Sequence, residues 1–361
     1  MEKVKKERLE FVDLARGMAV IFMIAVHVLM VYANNTVKGS PFGVIVEFLG
    51  GPPAAPVFMF LMGLSFIYAS KKDLKASIFR GLKIFLAGYI LNFFRAVLPM
   101  YTLNEFAPEI LNGSGFENIS YITLLTIVDI LQLAGLSIII LALVREFKLN
   151  KYIVLSTAMV ISLISPILWG INTNNPLINF VLDLFWGDNP ASGFIENTVF
   201  FPLFPWVAFP LLGYFFGTMI TKSGSKDKVL LYSLIPGGVS FIVGLALLAN
   251  NFDYHFNDYY HARIGSMLSM SGFIVIWLFL CNILVRQIKS NPIFNGVYYL
   301  SKSVTNIYFI QWIVIMWGIA FWGDNLGMAE TVLVMIFVFG LSLLVDYGVV
   351  YFKNKLLSSK L

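Results

Sequence analysis

Long apolar runs broken by short polar loops dominate the chain. A membrane-crossing helix needs about 20 mostly apolar residues. Ten stretches qualify, near 17–33, 54–70, 76–97, 122–144, 152–170, 199–220, 229–249, 265–285, 303–322 and 329–352. Residues 177–187 (LINFVLDLFWG) are apolar but short, which predicts an interfacial or re-entrant helix. The pattern predicts an all-α polytopic membrane protein with about ten transmembrane helices, forming one domain over 1–361. No linker, low-complexity tract or internal duplication interrupts it. The first apolar run is too long for a cleavable signal and no A-x-A site follows it.

Composition agrees. Hydrophobic residues make up 58% of the 361 and charged residues 12%, against about 25% charged in a soluble domain. A soluble enzyme of this size could not hide so much apolar surface, and a disordered chain would need the opposite balance. The net charge of +5 is a matter of topology: 22 of the 25 Lys and Arg fall in alternate loops or span ends, and only Lys38, Arg95 and Arg263 fall on the other side. The expectation is a multi-pass protein of the cell membrane with both termini cytoplasmic and no nucleic-acid partner. The opposite loops are acidic, with Glu105, Glu109, Glu117, Asp188, Glu196, Asp253, Asp258 and Asp324, and three of them are long, at 98–121, 171–198 and 250–264. Asn34-Asn35-Thr36, Asn112-Gly113-Ser114 and Asn118-Ile119-Ser120 are glycosylation-type triplets on that outer side. A single cysteine, Cys281, leaves no intramolecular disulfide and no cysteine-based zinc cluster.

Polar residues inside a bilayer are costly and therefore candidates for function. Arg16 and His27 lie 11 residues apart in the first span, almost three whole helical turns, so they share a face and stand about 16 Å apart along the axis. Asp13 is one turn before Arg16 on that face. Arg80 and Lys83 form a second basic pair on the third span. Taken singly, such cations are snorkelling anchors, and Asp13 is a partner for Arg16. Taken together they describe basic residues at a cytosolic mouth that would hold phosphates, with a neutral imidazole deeper in the bundle able to serve as a general base. Asp129 and Gln132, three residues apart, either pair with each other or orient a substrate. Trp206 is a membrane-belt aromatic or a sugar platform. Tyr308 and Asp346 read as packing residues. His255, Asp258, His261 and Arg263 cluster in the last long outer loop as sugar contacts or solvated polar groups, and no metal is expected.

These residues also carry a resemblance. The sequence resembles the transmembrane acyltransferase superfamily, within it the heparan-alpha-glucosaminide N-acetyltransferase-like branch. RLEFVDLARGMAVIFMIAVH (8–27) is similar to the family's D-x-x-R-G start, and Arg16 to His27 is like the R-x10-H motif of related membrane O-acyltransferases. GGPPAAPVFMFLMGLSF (50–66) resembles the second-span motif ending in F-x-F-x-x-G, and FRGLK (79–83) the basic motif of the third span. DILQLAGLS (129–137), FPLFPWVAFPLLGYFFG (201–217) and SKSVTNIYFIQW (301–312) resemble three later helices in the same order. The lysosomal branch has Asn where His27 stands and a histidine in the following loop; here residues 34–53 contain no histidine. Gln311 stands where the C-terminal motif has histidine, so no proton-transfer role is assigned to it.

The resemblance implies transfer of an acetyl or other short acyl group from acetyl-CoA to a hydroxyl or amine of a sugar or glycan, at the extracytoplasmic side. Arg16, Arg80 and Lys83 would bind the CoA phosphates. His27 would deprotonate the acceptor or carry the acyl group itself, with Asp13, Asp129, Gln132 and Trp206 in acceptor or supporting roles. The partners are acyl-CoA, a glycan, the bilayer and, as an option, a second copy in a homodimer. The competing readings are a proton-coupled transporter or flippase, with His27 as a coupling residue, and a catalytically silent scaffold.

Overall fold

The computed structural model describes residues 8–69, 73–110, 119–171, 173–187, 199–256, 258–288 and 291–358. Lys3, Lys5, Lys6, Lys71, Lys72, Lys289 and Lys360 of the charge pattern lie outside these residues. So do Glu117, Asp188, Glu196, Asn112-Gly113-Ser114 and Asn118. Among the described residues the regular elements are helices. Nine are long and apolar enough to cross a membrane: Glu10–Tyr32, Pro41–Tyr68, Leu74–Phe106, Lys151–Leu168, Leu203–Ser223, Lys226–Asn250, Ile264–Gln287, Pro292–Trp322 and Met328–Leu356. The short apolar stretch after residue 176 is the helix Pro176–Trp186, started by the Asn175 side chain on the N–H groups of Leu177 and Ile178.

The expected span 122–144 is the one that differs. It divides into Tyr121–Leu125 and a 17-residue helix, Ile130–Glu146. The reason is local. Asp129 caps the second helix, its carboxylate accepting the Ile130 N–H at 2.7 Å, while Gln132 Oε1 accepts the Asp129 N–H at 3.1 Å. This reciprocal box satisfies donors that a helix start leaves open, so the helix begins at 130, eight residues later than hydropathy alone suggests.

By proximity the chain forms two compact units. One comprises Asp13–Ala54, Leu91–Tyr121 and Ser290–Leu361, the other Met1–Val12, Ala55–Ile90 and Ile122–Lys289.

In the first of these, an i, i+4 stripe of Val20, Ile24, Val28 and Tyr32 packs on Leu300, Ile307 and Ile315 of the penultimate span and on Val334 and Val338 of the last. The two helices approach closely at Gly17, where any Cβ would run into the carbonyl of Val297. Further along, Tyr32 donates its hydroxyl to the Ile315 carbonyl. Gly17 thus faces Val297 and Tyr32 faces Ile315, so the first and penultimate spans run in the same direction. Parallel spans must be separated by an odd number of crossings, and six of the nine long helices lie between these two. Ile130–Glu146, at 17 residues, is the described helix nearest in length to a further crossing. The last two spans are tied through Asp346, fully buried, which accepts from Tyr299 Oη at 2.6 Å and Asn306 Nδ2 at 3.0 Å. A buried carboxylate needs such donors, and the packing role read for Asp346 is what it performs.

In the second unit, Ala55–Tyr68 packs on Ala208–Ser223 with backbones almost touching. A Cβ on Gly63 would overlap the Pro210 carbonyl, and one on Gly213 the Phe60 carbonyl. Small residues allow this approach where no hydrophobic drive exists between helices in lipid. Lys226–Asn250 and Ile264–Gln287 form an antiparallel pair whose ends are joined by Asn282 Nδ2 donating to Asp227 at 2.8 Å.

Candidate functional site

The first span is helical from Glu10 to Tyr32 without interruption, so Asp13, Arg16 and His27 keep the shared face that their spacing predicts. Asp13 and Arg16 are mostly buried and 3.9 Å apart, and Asp13 also accepts from Ser301 Oγ at 3.1 Å. The anchoring pair therefore has a third member on the penultimate span.

His27 is half-buried and meets three residues of one helical face on Pro292–Trp322: Tyr308, Gln311 and Trp312, at i, i+3 and i+4. The Gln311 carboxamide lies against His27 Nδ1, its Nε2 at 2.9 Å and its Oε1 at 3.3 Å. The Trp312 ring stacks on the imidazole with centroids 4.2 Å apart and planes tilted by 31°. Tyr308 stands edge-on at 6.5 Å.

A carboxamide presents both a donor and an acceptor, so Gln311 can accept the Nδ1 proton or donate to the bare Nδ1. Either way Nδ1 is engaged by Gln311 and the ring is held against Pro292–Trp322. In the form with the proton on Nδ1, Nε2 carries a lone pair, as a general base requires.

Behind Trp312 lies a residue that the charge pattern places among outer-side cations. Arg95 is 4% exposed and sits in a π-helical turn, Phe93–Val97, between Leu74–Asn92 and Leu98–Phe106. Its guanidinium lies 4.7 Å from the Trp312 ring and donates to Asn92 Oδ1 through Nε at 3.2 Å and Nη2 at 3.0 Å. The Trp317 indole N–H bonds the Phe94 carbonyl at 3.1 Å and so holds the turn against the same helix. Single π-turns recur at functional positions. A charge buried at membrane depth is the sequence signal that would have singled out Arg95.

The other expected site residues belong to the second unit. Arg80 and Lys83 are exposed on Leu74–Asn92, and Lys83 Nζ lies 4.5 Å over the Phe79 ring. Asp129 and Gln132 pair with each other in the capping box, and Gln132 also donates to the Ile127 carbonyl at 3.1 Å. Trp206 is fully buried, covered by Phe201, Phe209 and Tyr259, and offers no open face to a sugar. Its indole N–H instead bonds the Tyr260 carbonyl at 2.7 Å, anchoring the last long loop.

In that loop the histidines have separate roles. His255 accepts the Gly265 N–H at 3.3 Å, at the start of Ile264–Gln287. His261 Nδ1 lies 2.5 Å from Asp258. Burial alone would raise the Asp258 carboxyl, but the hydrogen bonds and charge of His261 and the Tyr260 N–H outweigh it and hold it below the usual range. Arg263 stacks on Trp169 and Tyr254, at 5.2 and 4.3 Å. Of the glycosylation-type triplets, Asn34 is engaged as a helix cap on Val37 N–H at 2.9 Å.

Residues 8–237 match a family model described as heparan-alpha-glucosaminide N-acetyltransferase, catalytic. The match takes in His27 and every other expected site residue and stops before Gln311 and Trp312. No curated protein matches the chain.

Proposed function

Because the chain belongs to the heparan-alpha-glucosaminide N-acetyltransferase catalytic family, we propose that it moves an acetyl group from cytosolic acetyl-CoA to a hydroxyl or amine of a sugar acceptor at the extracytoplasmic side of the cell membrane. Arg16, Arg80 and Lys83 hold the phosphates of CoA at the cytosolic entrance. The pantetheine arm follows the first span and brings the thioester to His27. His27 Nε2 takes the proton of the acceptor as it attacks the thioester carbonyl.

The observation that carries this reading is the pairing of His27 Nδ1 with the Gln311 carboxamide at 2.9–3.3 Å. It holds the imidazole ring in place and supports a role for His27 in which Gln311 accepts the Nδ1 proton and Nε2 serves as the base. Asp13, tied to Arg16 and Ser301, orients the donor end of the span. Both acceptor classes belong in the proposal: the family is described by N-acetyl transfer, and the R-x10-H spacing from Arg16 to His27 is similar to that of O-acyltransferases.

The test uses the full chain purified in detergent, with acetyl-CoA labelled in the acetyl group and a panel of amino sugars and neutral sugars. Label should pass to a sugar, and His27→Ala should lower the rate by about 10²–10⁴, the usual contribution of a general base. CoA binding should persist in the variant. Transfer at the wild-type rate by His27→Ala would refute the assignment. Uptake of sugar by proteoliposomes without consumption of acetyl-CoA would mark a carrier instead.

A further inference from the structure

The indole N–H of Trp312, like those of Trp169, Trp186 and Trp277, is buried and has no hydrogen-bond partner among the described residues; of the four, only Trp312 stacks on His27. Buried donors are nearly always paired, and each exception in a native fold asks for a reason. Leaving such a donor unmet is costly. The Trp312 ring is stacked on His27, the proposed base, at 4.2 Å. On the same ring lies the Arg95 guanidinium, at 4.7 Å. An unpaired donor on the ring that stacks on the base, with a buried cation on the same ring, can stabilise negative charge that develops there.

We propose that Trp312 Nε1–H is the oxyanion donor of the acetyl-transfer step, with Arg95 as the positioning residue that holds and polarises the indole. This rests on the acetyltransferase reading above. The acceptor oxygen or nitrogen forms a bond to the thioester carbonyl carbon, and His27 takes the acceptor's proton. The carbonyl π pair moves onto oxygen, and that oxyanion accepts a hydrogen bond from Trp312. The oxyanion then re-forms the carbonyl, the carbon–sulfur bond breaks, and the CoA thiolate leaves with the proton from the His27 imidazolium. Donors aimed at the developing oxyanion act most strongly where water is excluded. The guanidinium draws electron density from the indole face, which strengthens the N–H as a donor. Trp312 and His27 then act on two atoms of one tetrahedral centre from two stacked rings.

The experiment replaces Trp312 with 3-benzothienylalanine by nonsense suppression in the full chain. Sulfur takes the place of the indole N–H, while ring size and stacking remain. Trp312→Phe is the second variant, and each is checked for a monodisperse detergent peak and for acetyl-CoA binding. The expected result is a fall in kcat of about 10²–10³, the usual loss for one oxyanion donor, with the KM for acetyl-CoA unchanged. Arg95→Leu should lower kcat as well, and should have little further effect once the N–H is gone. A benzothienyl variant within twofold of wild-type kcat would overturn the proposal. So would a loss of rate seen only as a raised KM. Inactivity of the wild-type protein toward every acceptor would refute the acetyltransferase reading itself, which is a separate outcome.

Discussion

Gln311 Nε2 lies 2.9 Å from His27 Nδ1, across 284 residues of sequence. The contact holds the imidazole ring in one orientation, and the first prediction follows from it. Gln311→Leu removes both ends of the carboxamide and leaves the imidazole free to turn and to place its proton on either nitrogen. The expected outcome is a fall in kcat of about tenfold or more, within the range of a mispositioned base, with the KM for acetyl-CoA unchanged. Gln311→Glu and Gln311→Asn, compared in the same assay, separate loss of the hydrogen bond from loss of reach.

Arg80 is exposed on Leu74–Asn92, where a phosphate contact is set by charge and not by burial. Arg80→Ala should raise the KM for acetyl-CoA by about tenfold, equivalent to one charge-assisted hydrogen bond of about 1.4 kcal/mol, and leave kcat in place. The effect should shrink as salt is added. An unchanged KM at low salt would return Arg80 to a membrane anchor.

Asp129 caps Ile130–Glu146 and is 8% exposed. Asp129→Ala should cost about 1 kcal/mol, as loss of an N-cap does, and lower the Tm in detergent by a few degrees. The acetyl-transfer rate per folded molecule should not move. A variant of wild-type Tm that has lost activity would instead place Asp129 at the substrate.

Asp258, bonded to His261, is depressed from the usual carboxylate range in the folded chain. A depressed carboxyl adds stability above its unfolded pKa of about 3.9, and loses that contribution as the pH falls through the lower folded value. The Tm difference between the wild type and Asp258→Asn should therefore be flat between about pH 5 and pH 7 and should close below about pH 4. A difference that faded near neutrality would implicate a different group.

Much of the fold was legible because its cause is local. Nine of the ten expected spans appear as helices long enough to cross, and the face shared by Asp13, Arg16 and His27 follows from 3.6 residues per turn. The tenth was drawn too early because hydropathy averages over a window and cannot see a cap. The signature was nevertheless present as Asp129-x-x-Gln132, the spacing of a capping box. Trp206 read first as a belt residue, with a sugar platform as the sharper alternative. Its burial under Phe201, Phe209 and Tyr259 comes from three separate segments, and no window over the sequence contains them.

The sequence by itself determined that the chain lives in a bilayer, that it is all-helical, and that Asp13, Arg16 and His27 share one face of the first span, because transfer free energy and helical period act residue by residue. Tertiary structure decided what His27 meets. Gln311 had been set aside for lacking a titratable group, and Arg95 had been counted with the outer cations. Packing of the parallel first and penultimate spans puts Gln311 on Nδ1 and Trp312 on the ring, and the π-turn at Phe93–Val97 brings Arg95 onto Trp312. Those contacts depend on helix positions fixed by close approaches such as Gly17 against Val297, and such approaches join residues far apart in the chain, beyond the reach of any local pattern.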